Sequence, residues 1–188
     1  MDAKGELRTR FKALRDALDP GLRDRWSAEL CRHAEHFCTS RRIRSLAVFW
    51  PLGSEVDLRP LVRGHGDWSF YFPRVASTHP PRLAWGTEPL QAGLWGLQEP
   101  VLTQHFLPPV KLVLAPGLVF DDRGFRIGYG RGYYDAMLGR LSEDVITLGV
   151  GFDMQRVPRL PESPHDHPVQ GLITETGLQW FHRPENEG

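Results

Sequence analysis

The spacing of hydrophobic positions changes several times along the chain, and each spacing predicts a different element. Leu7, Phe11, Leu14 and Leu18 recur at helical intervals and predict an amphipathic first helix. Asp19 and Pro20 supply a cap and a first-turn residue for a second helix. It runs to about Phe37, with Leu22, Trp26, Leu30, Ala34 and Phe37 inward. After a basic patch, the apolar run over 45–50 reads as a buried strand. A short helix over 58–62 and a strand over 68–72 follow. Runs over 111–115 and 145–149 predict two more strands, with a helix over 132–141 between them. Strands alternating with helices predict an α/β fold with a mostly parallel sheet covered on both faces. The 78–109 segment, rich in proline, glycine and tryptophan, breaks every period. It is expected to be an irregular excursion with at most short strands near 83–85. No internal repeat is present, and the tail after Pro184 is expected to fray.

Composition narrows the class. The 188 residues fit one domain over 1–188, and 40% hydrophobic with 24% charged content describes an ordinary soluble globular chain. A formal net charge of zero provides no overall field toward nucleic acid or anionic membrane, so neither partner is expected. Cys31 and Cys38 lie in a helical stretch where their α-carbons would stand roughly 10 Å apart, too far for a disulfide. No apolar run reaches membrane-spanning length and the N-terminal stretch is polar, so a cytoplasmic location is expected.

The most informative segment is Arg126-Ile-Gly-Tyr-Gly-Arg-Gly-Tyr-Tyr-Asp135. Glycines at 128, 130 and 132 let the backbone adopt conformations closed to other residues and bring its N–H groups close to a ligand. A predicted helix start, where anions are favoured, follows directly. Arg126 and Arg131 add forked donors suited to phosphate oxygens. Together these suggest a polyphosphate cradle, against the plain alternative of a glycine-rich surface turn. The spacing is that of neither a P-loop nor a dinucleotide fingerprint, since Tyr133 stands where the latter needs glycine.

Other groups are read with their alternatives. Lys4 and Arg8, continued by Lys12 and Arg15, form a basic stripe beside the apolar stripe of the first helix. It either overhangs a cleft or is a solvated face. Glu55 and Asp57 follow the first strand, where α/β sheets bind ligands. Glu55 suits the donors of an amino-heterocycle, or else caps the next helix. The run Cys31-Arg-His-Ala-Glu-His-Phe-Cys38 is rejected as a zinc site, because on a helix its ligands diverge. Asp135 and Asp166 together suit Mg²⁺. Trp50, Trp85 and Trp95 are candidates for stacking walls or for core.

These pieces, in order, resemble the 5-formyltetrahydrofolate cyclo-ligase family. The matching segments are Lys4-x-x-x-Arg8, 53–57, 72–75, 96–100, 116–121, the 126–135 loop, and His165-Asp166 before 173–175. The resemblance implies a three-layer α/β sandwich and an ATP-dependent reaction with Mg²⁺. That reaction closes 5-formyltetrahydrofolate, polyglutamated forms included, to 5,10-methenyltetrahydrofolate. It further implies that Lys4, Arg8, Arg126, Ile127, Gly128, Tyr129, Gly130, Arg131, Gly132, Tyr133 and Tyr134 contact ATP, with Arg126 and Arg131 catalytic. Asp135 and Asp166 would hold the metal, and Trp50, Glu55 and Trp95 would line the folate pocket. A monomer is expected. Arg131, Ala136 and Trp50 depart from the residues usual in the family. Two rival readings are a sugar-phosphate isomerase, which would work without ATP, and a non-catalytic nucleotide- or RNA-binding module, which would not need Glu55 or the metal carboxylates.

Overall fold

The computed structural model describes residues 2–182. The chain opens with α1 (Ala3–Asp16) and α2 (Pro20–Ser40), then enters β1 (Ser45–Ala47) and α3 (Arg59–Gly64). The strands β2 (Ser69–Thr78), β3 (Pro81–Gly86), β4 (Leu90–Ala92), β5 (Gln98–Pro100), β6 (Leu112–Pro116), β7 (Val119–Asp121) and β8 (Arg126–Ile127) follow. The helix α4 (Tyr133–Leu138) precedes β9 (Ile146–Val150), β10 (Arg156–Val157), β11 (Gly171–Thr174) and β12 (Gly177–Trp180).

The main sheet has the order β12-β11-β9-β6-β1-β2-β3, parallel from β11 to β2 and antiparallel at both edges. Its interior strands are apolar on both sides because both sides are covered. Leu46, Leu112, Leu114, Leu148 and Val150 pack with Leu30, Ala34 and Phe37 of α2 and with Leu61 and Val62 of α3. The alternate residues Ala47 and Val113 pack the other way, against Trp85, Val110, Met137 and Leu141. Two helices thus cover one face, while the six-residue α4 and its flanking loops cover the other. A small sheet, β10-β7-β8, carries α1 through Phe11, Leu118, Val119 and Ile127.

From β1 the chain moves to β2 on one side, and from β6 it moves to β9 on the other. The β1/β6 junction is therefore the point where strand order reverses, and the crevice beyond its carboxyl ends is where such sheets bind ligands. The cavity described below opens there.

The structure departs from the sequence reading in several places. Leu14, expected inward, is 43% exposed, and Arg15 takes the buried position one turn after Phe11. The stripe of α1 narrows because its last turns face a polar seam rather than the sheet core. The strand expected over 68–72 extends to Thr78 and pairs with β3 in a long hairpin. Pro73 lies within it and hid its continuation. The 78–109 excursion also contains the β4–β5 ladder. The helix expected over 132–141 is limited to α4, and the short strands β7, β8 and β10–β12 were not anticipated. Fraying after Pro184 concerns residues outside those described. Among the described residues no helix is long and apolar enough to cross a membrane.

Candidate active site

A cavity of about 350 Å³ lies at the β1/β6 switch point. Phe49, Trp50, Leu52 and Glu55 reach it from the segment after β1, and Pro116 and Gly117 from the end of β6. Pro73 and Val75 of β2, Leu83 of β3, and Trp95, Leu97, Gln98 and Glu99 of the excursion form another wall. Lys4 and Arg8 reach in from α1, residues 126–135 form the floor, and Asp166 closes the rim. Every residue that the family resemblance implies for the site lines this one cavity, whereas Trp85, Asp57, Lys12 and Arg15 do not.

Within the floor, Gly130 and Gly132 have φ of 85° and 73°, a region that favours glycine. Gly130 serves a second purpose. A β-carbon there would come within 3.1 Å of the Arg8 guanidinium carbon, which lies along the loop while Nε donates to the Gly128 carbonyl at 3.0 Å. The first helix is thereby fastened to the loop. Gly128 has no positive φ, and a β-carbon there would meet nothing within 4 Å, so neither backbone nor crowding requires glycine at that position. The helix that follows is only six residues long, which reduces the dipole contribution expected from sequence. The positive character of the floor comes from side chains.

Arg126 is buried, donating through Nη1 to Asp135 Oδ1 at 3.1 Å and to the His167 carbonyl at 3.5 Å. Its Nε and the hydroxyl of Tyr134 are buried without a hydrogen-bond partner among the described residues. Such groups are costly to leave unpaired, and here both belong to cavity-lining residues. Burial holds the Tyr134 hydroxyl far above the usual phenol range, keeping it a neutral donor.

The two proposed metal carboxylates share the cavity but have different partners. Asp135 receives Arg126 and the His167 amide, both on Oδ1. Asp166 receives Lys4 Nζ at 2.5 Å and the Ser163 amide at 2.7 Å, both on Oδ2. Among the described residues no group of three or more acidic, histidine or cysteine side chains is disposed to hold an ion. Two carboxylates in a cavity that Arg8, Arg126 and Arg131 also line still fit Mg²⁺, which commonly takes one or two protein oxygens and completes its shell with water and phosphate.

Glu55 is 8% exposed and accepts from the Leu52 amide at 2.9 Å. Burial pushes its carboxyl upward in pKa; the Leu52 amide, the Arg15 charge and the Tyr129 hydroxyl oppose the shift without cancelling it. Asp57, by contrast, is committed to structure. It grips Arg59 with both oxygens and takes the first amide of α3, so the helix-capping alternative considered for Glu55 belongs to Asp57. Burial would raise the Asp57 pKa, but the Arg59 bonds bring it below the usual range.

Trp50 and Trp95 face the cavity, whereas Trp85 is core. Trp50 meets Phe72 edge-on, with ring centroids 6.0 Å apart. Trp95 has φ of 56°, a strained setting for a bulky residue that costs about 1–3 kcal/mol. The Arg131 guanidinium lies 3.6 Å from its ring centroid, a cation–π contact that offsets part of this cost. Arg131 thus links the glycine-rich loop to the aromatic wall opposite.

The family model described as the 5-formyltetrahydrofolate cyclo-ligase family matches residues 1–175. The chain belongs to this family. It is 23% identical to the 5-formyltetrahydrofolate cyclo-ligase of Haemophilus influenzae, with 89% of this chain and 95% of that one covered. The solution structure of the Aquifex aeolicus 5,10-methenyltetrahydrofolate synthetase superimposes with a TM-score of 0.83 at 28% identity, covering 100% of this chain and 97% of that one. A Mycoplasma pneumoniae synthetase shares the fold, with a TM-score of 0.75 at 20% identity over 93% of this chain and 99% of that one. Membership in the cyclo-ligase family makes the chain an ATP-dependent ligase.

Sequence reasoning missed two charged groups of this cyclo-ligase site. Glu99 is buried in the cavity wall, accepting from the Val75 amide at 3.2 Å and facing Arg74 Nε at 3.8 Å. Arg15 is buried beneath the cavity. Glu99 lies in the 96–100 segment, whose resemblance to the family is the sequence signal that points to it. Arg15 was counted with a basic face, and its i+4 relation to the inward Phe11 was the available clue.

Proposed function

We propose that the chain closes 5-formyltetrahydrofolate to 5,10-methenyltetrahydrofolate in one cavity. ATP would lie against Lys4, Arg8 and residues 126–134, and folate against Trp50, Glu55 and Trp95. What supports this reading is the convergence of three chemistries at the β1/β6 switch point: cations on a glycine-rich floor, an acceptor carboxylate, and aromatic walls. Action as a monomer is part of this proposal.

A formamide carbonyl is a poor electrophile, and its oxygen is a poor leaving group. Transfer of the γ-phosphoryl group to that oxygen releases ADP and gives an iminium phosphate. N10 attacks its carbon and gives up a proton, and departure of phosphate leaves the methenyl bridge. No side-chain nucleophile is needed. The protein aligns the formyl oxygen with the phosphorus and stabilises charge on the phosphoryl oxygens. Arg126 and Arg131 suit the second task. The unpartnered Arg126 Nε and Tyr134 hydroxyl provide donors that a ligand would satisfy. Glu55, as carboxylate, accepts ring N–H groups of the pterin. Asp135 and Asp166 would hold Mg²⁺, which neutralises phosphate charge when bound.

The test follows methenyl-folate absorbance from 5-formyltetrahydrofolate with and without ATP and Mg²⁺. Product is expected only with ATP, and the absence of ATP-dependent product defeats the reading. Chelation is expected to suppress the rate, with recovery on adding Mg²⁺.

A further inference from the structure

Arg15 is 2% exposed and does not line the cavity, yet its guanidinium joins three segments that do. Nε donates to Ser54 Oγ at 3.1 Å, directly before Glu55 in the chain. Nη1 reaches the Gly117 carbonyl at 3.4 Å, just beyond β6. Nη2 donates to the Tyr129 hydroxyl at 2.7 Å, on the glycine-rich loop. Ser54 in turn donates to Asp16, which is paired with Lys12. A buried guanidinium tolerates this setting only while its donors find acceptors, so the three segments hold one another in register.

Tyr129 is the exposed member of this set; its hydroxyl accepts from Arg15, and it lines the cavity with Glu55, whose charged form it favours. It sits between Gly128 and Gly130, in the stretch assigned to ATP. We propose that Arg15 is a positioning residue that couples the two halves of the cavity. Through the Tyr129 hydroxyl, it ties the setting of Glu55 to the setting of the glycine-rich loop, so that filling one half tightens binding in the other. This rests on the reading that the loop takes ATP and Glu55 takes folate.

The groups facing Glu55 agree with this. Arg15 approaches from α1, Tyr129 from the loop and Tyr134 from α4, while the Leu52 amide comes from its own loop. Of these, the Leu52 amide, Arg15 and the Tyr129 hydroxyl favour the carboxylate against burial. Two of the three are the partners in the Arg15–Tyr129 hydrogen bond.

Isothermal titration provides the test. Binding of 5-formyltetrahydrofolate is measured with and without a saturating non-hydrolysable ATP analogue, and the analogue with and without the folate. The wild type is expected to show mutual tightening of roughly 5-fold or more, equal in both directions because linkage is reciprocal. In Arg15→Met and Tyr129→Phe the factor should fall toward one. The folate KM of Arg15→Met should climb, as pH is lowered, at a higher pH than in the wild type. A purely structural Arg15 would lower Tm and weaken both ligands while leaving the coupling factor intact, which overturns the proposal. Tyr129→Phe removes one hydroxyl from a partly exposed ring and gives a folded variant even where Arg15→Met does not. An undiminished factor in that variant, or a wild type that binds both ligands independently, also overturns the coupling. A wild type that binds neither ligand overturns the underlying assignment instead.

Discussion

Helices α1 and α2 both announce themselves by an apolar stripe, yet they bury different chemistry. The inward face of α2 is Leu30, Cys31, Ala34, Phe37 and Cys38, with Ser27 its sole buried polar side chain among the described residues. That of α1 is Phe11 and Arg15. Burying the first set is favourable at about 25 cal/mol per Å² of apolar surface. Burying Arg15 costs several kcal/mol of desolvation, recovered only through well-placed acceptors. The first helix is thus held by polar fastenings at Ser54, Gly117, Tyr129 and Gly128, and these deliver Lys4 and Arg8 to the cavity. One helix stabilises the sheet, and the other builds the site.

Substitutions on the two sides should separate stability from chemistry. The largest expected effect is on turnover. Arg126→Met removes a buried donor that lines the cavity, proposed above to serve the phosphoryl group, and should lower kcat by roughly 100-fold or more. Steady-state rates at saturating ATP check this, and near-normal turnover would detach Arg126 from the chemistry. On the α2 side, Leu114→Ala in the packed sheet should cost about 2–5 kcal/mol in denaturant unfolding. Its turnover should persist wherever the chain remains folded.

Glu55→Gln joins the two quantities. Burial raises the Glu55 pKa in the folded state, so above the ordinary glutamate range the folded chain holds more proton than the unfolded one. Stability contributed by this group therefore falls as pH rises through that window. The glutamine variant should flatten this fall and be more stable at neutral pH while binding folate about 10-fold more weakly. Unfolding curves at pH 5 and 8 with folate titrations measure both. The smallest effect concerns Cys31 and Cys38, whose thiols burial pushes up to about 12. Iodoacetamide at pH 8 should leave the native chain unmodified and label it after unfolding, because thiolate is the reactive species.

How legible these features were depended on how local they are. The helices α1 and α2 were readable because many residues repeat one period, and β1, β6 and β9 because each lies in an apolar run flanked by polar or turn residues. The strands β7, β8 and β10 have two or three residues each, too short to show any period. The 126–135 loop was readable because glycines and arginines at fixed spacing have few other uses. Arg15 was not, because the charge pattern of a helix face does not tell which arginine the tertiary structure will bury. Trp85 and Trp95 look equivalent in sequence, but one is a residue of β3 with its side chain in the core and the other lies at the tip of the β4–β5 ladder.

The sequence by itself determined the α/β class, the covered, mostly parallel sheet, the family and many of the residues that line the cavity. Periodicity and motif spacing are short-range properties, and they survive without coordinates. Only the tertiary structure decided that Asp135 pairs with Arg126 while Asp166 pairs with Lys4, and that Arg131 lies on Trp95. It alone decided that Arg15 reaches Ser54 and Tyr129, 39 and 114 positions away. Those partners are set by how the sheet and helices pack, and no local pattern carries that information.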